Sequence, residues 1–114
     1  MQRPARIDLI CYQGADFDYA LTWSVNGSPV NLTAYTARMQ VRKTPGAATP
    51  VLSLTNGSGI TLGGSAGTVL VAATAAQTDT IPAGGYKYDL ELVNGSSVTR
   101  LASGDFTVIA GVTK

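Results

Sequence analysis

Gly85-Tyr-Lys-Tyr-Asp-Leu-Glu-Leu-Val93 alternates strictly between aromatic or aliphatic side chains and charged ones. The even-numbered positions from 86 to 92 fall on one face of an extended chain, and the charged positions from 87 to 91 fall on the other. This period of two is typical of a half-buried β-strand, because successive side chains of a strand point to opposite faces. Asn94-Gly-Ser96 follows, and Asn-Gly is a strong hairpin signal. The pattern predicts a β-hairpin whose second strand runs from Ser97 to Ala102.

Tyr86 opens this strand directly after a turn signal, Pro82-Ala-Gly-Gly85. Immunoglobulin-like sandwiches often place a corner tyrosine at the start of a central strand. The position of Tyr86 therefore favours a sandwich that is built around the hairpin.

Further alternating segments on both sides of the hairpin predict additional strands. We expect them at residues 5–12, 16–25, 35–43, 51–55, 60–62, 68–71 and 106–110, with a short extended piece at 30–32 and a break at 103–105. Pro29 places the short piece at a sheet edge. Thr74 and Gln77 have the spacing of a capping box and predict one helical turn to about Thr80. About seven to eight strands and one short helical turn predict an all-β fold, an antiparallel immunoglobulin-like β-sandwich.

Segment 16–25 gives the clearest strand pattern in the chain. Its odd-numbered positions, from Phe17 to Val25, are apolar or aromatic and include the single tryptophan, Trp23. We expect this stripe to face the core and Trp23 to anchor it.

Length and composition limit the function classes. A chain of 114 residues is one domain, which we place at 1–114 with 1–6 as an N-terminal arm and 111–114 as a C-terminal tail. A net charge of +1 gives no electrostatic case for binding nucleic acid or an anionic membrane. Only 13% of residues are charged, against about 25% in a typical domain. Such a surface suits a protein packed into an assembly, and it fits a small soluble monomer equally well.

Residue sets for catalysis or metal binding are scarce. The chain has no histidine and one cysteine, Cys11, which excludes an internal disulfide and a Ser-His or Cys-His pair. Asp16 and Asp18 share a strand face, and with Asp8 or Asp105 they would offer oxygen ligands to calcium. Paired strand aspartates more often form a solvated face. We expect Cys11 in the core and predict no catalytic, cofactor-binding or metal-binding residues.

Two other features resemble parts of known ligand sites. Arg38 and Arg42 share one face of a predicted strand, which fits a phosphate or carboxylate site but also a solvated or partner-contacting sheet face. The glycine-rich segment 63–67 lacks the Lys-Ser/Thr of a P-loop and indicates a tight turn. We therefore predict a non-enzymatic protein without a cofactor or a small-molecule substrate. No apolar run of signal-peptide length follows residues 1–6, so we expect a cytosolic chain or one released without secretion.

Segments along most of the chain carry fold-forming motifs. They are Gly14-Ala-Asp-Phe-Asp-Tyr-Ala-Leu-Thr-Trp23, Pro29-Val-Asn-Leu-Thr33, Ala37-Arg-Met-Gln-Val-Arg42, Gly59-Ile-Thr-Leu-Gly-Gly-Ser-Ala-Gly67, Ala83-Gly-Gly-Tyr-Lys-Tyr-Asp-Leu-Glu-Leu92, Val98-Thr-Arg-Leu101 and Gly104-Asp-Phe-Thr-Val108. Together they resemble small structural proteins from the late gene clusters of tailed bacteriophages and prophages. The chain is also similar to the N-terminal domain of phage baseplate upper proteins, although Asn31 stands where that pattern usually has Asp.

The resemblance implies a virion component at the tail, baseplate or neck, present in several symmetric copies, and it supplies no functional residues. We therefore predict an adaptor that anchors tail fibres or neighbouring tail proteins and is assembled in the host bacterial cytoplasm. The expected contact regions are 1–6, 44–50 and 111–114. The alternatives are a capsid decoration protein and, less favoured, a host-carbohydrate-binding module with Tyr12 and Tyr35 as the exposed aromatic candidates.

Overall fold

The computed structural model describes residues 5–112. Eleven strands, one short α-helix and a 3₁₀ turn at Gly64–Ala66 account for the regular structure of this range. They are β1 (Ala5–Arg6), β2 (Leu9–Tyr12), β3 (Phe17–Thr22), β4 (Ser24–Val25), β5 (Ser28–Pro29), β6 (Thr36–Arg42), β7 (Leu52–Asn56), β8 (Gly59–Leu62), β9 (Thr68–Ala73), α1 (Ala75–Asp79), β10 (Gly84–Asn94) and β11 (Ser97–Ile109). The predicted all-β class with one short helical turn is confirmed.

One hydrogen-bonded sheet contains nine of these strands and curls over itself. Its order is β1-β11-β10-β6-β7-β8-β9-β3, and β2 also pairs with β11. Although β3 and β11 lie far apart along this path, the rings of Phe17 and Phe106 are 5.3 Å apart and meet edge to face. The two ends of the sheet therefore face each other across a shared core. The ribbon of β4 and β5 is separate.

The predicted hairpin lies at the centre of one layer. β10 pairs antiparallel with β11 on one side and with β6 on the other, and its apolar positions from Tyr86 to Leu92 are buried. The Tyr86 hydroxyl donates to the Pro82 carbonyl at 2.6 Å, four residues upstream. This is the hydrogen bond that a corner tyrosine makes. Gly95 turns the chain with a φ of +60°.

The predicted break at 103–105 is wrong, because β11 continues through it to Ile109. Gly104 has an interior position in this strand, where a glycine usually marks a bulge or a close approach of another backbone. Here the reason is close approach, since a Cβ on Gly104 would lie 2.5 Å from the Ile7 carbonyl oxygen. The register of β11 against β10 does shift elsewhere, between Ala102, which pairs with Leu90, and Arg100, which pairs with Glu91.

Three further boundaries differ from the prediction. The strand expected at 5–12 is divided into β1 and β2, and the one expected at 16–25 ends at Thr22. Trp23 is buried as expected, but Val25 lies in the β4–β5 ribbon and is 49% exposed, so its predicted core position is wrong. The extended piece expected at 30–32 is not a strand, and the strand residues there are Ser28–Pro29.

The capping box predicted for α1 is confirmed. The Thr74 hydroxyl accepts from the Gln77 N–H, and the Gln77 side chain accepts from the Thr74 N–H. Thr78 is fully buried, and its hydroxyl accepts the Gly14 N–H at 3.1 Å and donates to the Ala15 carbonyl at 2.8 Å. This contact fixes the turn between β2 and β3 against the helix.

Candidate interaction surfaces

The outer face of the β6–β10–β11 layer carries a ladder of charged side chains. The strand register places Arg38 opposite Glu91, Gln40 opposite Asp89, and Arg42 opposite Lys87. On the other side of β10, Lys87, Asp89 and Glu91 lie opposite Asp105, Ser103 and Arg100. Every ion pair within residues 5–112 belongs to this ladder or to Arg6 and Asp8 at its edge.

The ladder neutralises itself through contacts between neighbouring strands. Arg38 Nε lies 2.8 Å from Glu91 Oε1, and Arg100 lies 3.4 Å from Asp89 and 3.6 Å from Glu91. Lys87 pairs with Asp105. Because these opposite charges occupy adjacent strands, they strengthen the strand pairing. Arg42, which lies opposite Lys87, has no carboxylate partner within residues 5–112.

Two carboxyl groups of the ladder have shifted pKa values. Partial burial, followed by the nearby charge of Glu91, raises the pKa of Asp89 above its ordinary value, while Arg100 opposes the shift. The hydrogen bond from Lys87 lowers the pKa of Asp105. Both shifts come from the arrangement of the sheet face, and both carboxyl groups border one open groove of about 540 Å³.

The pair Arg38 and Arg42 does not form an anion site of its own. Arg38 is engaged by Glu91. Arg42 donates to the Ala47 carbonyl at 2.7 Å and to the Gln40 side chain at 2.8 Å. Arg42 therefore ties the 44–50 loop to the end of β6, beside an open groove of about 540 Å³ that Lys87 also borders.

The aspartates considered as calcium ligands are not brought together as one site. Asp16 accepts the Ala75 N–H at 2.8 Å and so supports the start of α1. Asp18 is exposed on β3, whereas Asp8 and Asp105 lie with Arg6 at the edge of the ladder. Within residues 5–112, no group of three or more His, Cys, Asp and Glu side chains is placed to hold a metal ion. Cys11 is fully buried, and burial raises the pKa of its thiol.

A second surface lies at the free edge of the sheet and is apolar. Ile10 and Tyr12 of β2 are 55% and 59% exposed, and Ile109, which lies opposite Tyr12 in the register, is 41% exposed. The sequence pattern identified Tyr12 as exposed but missed Ile10 and Ile109. Tyr35, the other aromatic candidate, is partly buried and packs edge-on against Trp23, with ring centroids 5.7 Å apart.

The expected contact regions are only partly within the structure. Ala5 and Arg6 form β1 and pair in parallel with β11, so the predicted arm at 1–6 is paired at its last two residues. Residues 1–4 and 113–114 of the predicted arm and tail lie outside the described residues. The 44–50 loop is mostly exposed, as expected.

Comparison of the sequence with protein-family models gave no match. A comparison with curated proteins also gave none. Among residues 5–112, no helix has the length and apolar character needed to cross a membrane.

Proposed function

We propose that this chain is a non-enzymatic structural protein of a tailed-phage virion. In this role it is an adaptor at the tail, baseplate or neck that anchors fibres or neighbouring tail proteins. The sequence resemblance to small phage structural proteins gives the class. The best structural support is that two exposed surfaces lie on the layer of β10 and β11, the charged ladder and the apolar edge, which suits contact with other proteins.

The 44–50 loop is the contact region whose position supports this role most directly. It is exposed, and Arg42 holds it at the rim of the charged ladder. A partner that covers the ladder would therefore meet the loop as well. Residues 44–50 contain no charged side chain and no bulky one, so they allow close approach of another main chain.

The test is to purify the protein and mix it with the tail, neck, baseplate and capsid proteins encoded beside it. Native mass spectrometry then gives the composition of each complex. We expect a complex with tail, baseplate or neck proteins in which the copy number follows threefold, sixfold or twelvefold symmetry. Ala48→Glu in the loop should weaken this complex, whereas Ser65→Glu in the exposed turn before β9 should not.

Other outcomes would contradict the adaptor role. Binding to capsid shells alone, with a copy number that follows capsid symmetry, would favour a decoration protein. A chain that binds no virion protein but binds host glycans would favour the carbohydrate module, with loss of binding in Tyr12→Ala. That alternative has weaker support, because sugar binding needs stacking aromatics and Tyr12 is accompanied by aliphatic neighbours instead.

A further inference from the structure

The charged ladder contains one pair of like charges. The register places Arg42 of β6 directly opposite Lys87 of β10, whereas Arg38 of the same strand lies opposite Glu91. Like charges directly opposite each other destabilise a pair of strands. An anion that binds beside Arg42 and Lys87 would offset this repulsion and stabilise the sheet at this point.

Arg42 and Lys87 are held by different partners, and both border the open groove of about 540 Å³. Lys87 pairs with Asp105 of β11. Arg42 donates to the Ala47 carbonyl at 2.7 Å and to the Gln40 side chain at 2.8 Å. These contacts engage two of the five N–H donors of a guanidinium group. The guanidinium is therefore fixed in position, and it has further donors that no residue of the range 5–112 accepts.

The groove carries an excess of positive charge. Four cationic and two acidic residues border it: Arg6, Arg42, Lys87, Arg100, Asp89 and Asp105. Within residues 5–112, each of these cations except Arg42 pairs with at least one carboxylate. The charge that the sheet itself leaves unbalanced therefore lies at Arg42, next to the 44–50 loop. Because the surrounding carboxylates already have cationic partners, the site is suited to a further negative charge.

We propose that this groove binds a carboxylate side chain from an acidic segment of another protein, with Arg42 as its main contact and Lys87 beside it. A guanidinium binds a carboxylate through two parallel hydrogen bonds. The single charge of a carboxylate matches the one cation without an acidic partner, whereas a phosphate group would bring a charge of about −2 close to Asp89 and Asp105. The small, uncharged residues of the 44–50 loop leave room for the main chain of the segment. Under the adaptor role, on which this inference rests for its partner, the segment belongs to a neighbouring tail protein.

The test is isothermal titration calorimetry with a hexaglutamate peptide, and with hexaglutamine as the uncharged probe. The wild-type protein should bind hexaglutamate but not hexaglutamine, and Arg42→Gln should raise the dissociation constant at least roughly fivefold. Arg38→Gln is the matched control, because it removes the same charge from the same face of β6 about 13 Å away. At physiological ionic strength, charges at this distance are largely screened, so the control should change the dissociation constant by less than about twofold.

Lys87→Gln tests the second cation and removes no hydrogen-bond partner of Arg42 or of the 44–50 loop. It should raise the dissociation constant at least about twofold, and unchanged binding would reject a site made by both cations. Absence of hexaglutamate binding would overturn the proposal. So would equal losses in Arg42→Gln and Arg38→Gln, which would indicate attraction to the net charge alone. Inorganic phosphate that displaces hexaglutamate at a lower concentration than acetate does would identify a phosphate site instead of a carboxylate site.

The groove and the adaptor role can fail separately. A tail complex that forms equally well with the Arg42→Gln variant would reject the groove as the contact and leave the adaptor role intact. Conversely, hexaglutamate binding that is lost in Arg42→Gln, without any tail complex, would support the groove and reject the adaptor role.

Discussion

Gly104→Ala should destabilise the protein more than any other single-methyl substitution in β11. A Cβ at this position would lie 2.5 Å from the Ile7 carbonyl oxygen and 2.9 Å from Asp8 Oδ1. The Ile7 carbonyl is main chain, so it moves only if the junction of β1 and β2 moves. That junction is also fixed by the Tyr88 hydroxyl, which donates to the same carbonyl at 2.6 Å. Overpacking costs about 1–3 kcal/mol, and loss of the hydrogen bond adds about 1 kcal/mol.

We therefore expect the free energy of unfolding to fall by about 3 kcal/mol, which corresponds to a decrease in Tm of roughly 10 °C for a domain of this size. Urea unfolding followed by tryptophan fluorescence measures the change. Gly85→Ala is the matched control, because no heavy atom outside its chain neighbours lies within 4 Å of the added Cβ. It should change stability by no more than about 0.5 kcal/mol.

The double variant Gly104→Ala/Tyr88→Phe separates the two contributions. If the alanine displaces the Ile7 carbonyl, the hydroxyl of Tyr88 has already lost its acceptor, and the two substitutions should cost less together than the sum of each alone. A Gly104→Ala variant within about 1 kcal/mol of the wild type would refute the reasoning, because it would mean that the β1–β2 junction can move away at little cost.

Three other substitutions test separate contacts. Thr78→Val removes the buried hydroxyl that holds the β2–β3 turn and should lower the free energy of unfolding by about 2 kcal/mol in urea titrations. Thr80→Val, at an exposed position, should lower it less. Equal losses for the two variants would contradict the role of Thr78. Burial raises the pKa of Tyr88 from 10.0 to about 12, so the contribution of its protonated hydroxyl to stability is complete below pH 10 and is lost as the pH rises through 12. Over this pH range the Tm of the Tyr88→Phe variant should fall less than that of the wild type. Parallel curves of Tm against pH for the two proteins would contradict this role of Tyr88. Glu91→Gln breaks the pair with Arg38 and should cost about 1 kcal/mol at low salt and less at high salt; a loss that does not depend on salt would exclude an ionic origin.

Local patterns predicted those parts of the fold that depend on neighbouring residues in the sequence. The alternation around Tyr88 and the Asn94-Gly95 turn predicted the central hairpin, and the spacing of Thr74 and Gln77 predicted the capped helix. Each of these signals concerns a few consecutive residues. They were therefore readable without knowledge of which strands become neighbours.

The errors concern contacts between distant segments. Gly104 resembles a chain break in sequence, and only the passage of Ile7 across it explains why a glycine lies within a continuous strand. Val25 continues the apolar alternation, but the chain leaves the sheet after Thr22. The Trp23 N–H donates to the Gly67 carbonyl instead, and the Trp23 carbonyl accepts the Val30 N–H. No local pattern contains these partners.

The candidate surfaces were predictable in part. Alternation places Arg38 and Glu91 on outward faces of their strands, but the ion pair between them depends on the register of β6 against β10. The apolar edge carries a signal in the sequence, because Ile10 and Tyr12 are out of phase with the buried positions Leu9 and Cys11. Their pairing partner, β11, is nearly a hundred positions away and is not indicated by any local signal.

The wide separation of β2 and β11 in the sequence has a consequence during synthesis. Leu9 pairs with Phe106 and Tyr12 with Ile109, so β2 leaves the ribosome long before its partner exists. At about 5–20 residues per second, the delay is roughly 5–20 s. During that time Leu9–Tyr12 is an uncharged strand with both edges open, and nascent chains on one polysome carry it side by side. Completion of the sheet is therefore a late event in folding. Crowding of translating ribosomes should lower the yield of native protein even where the stability of the folded chain is unchanged.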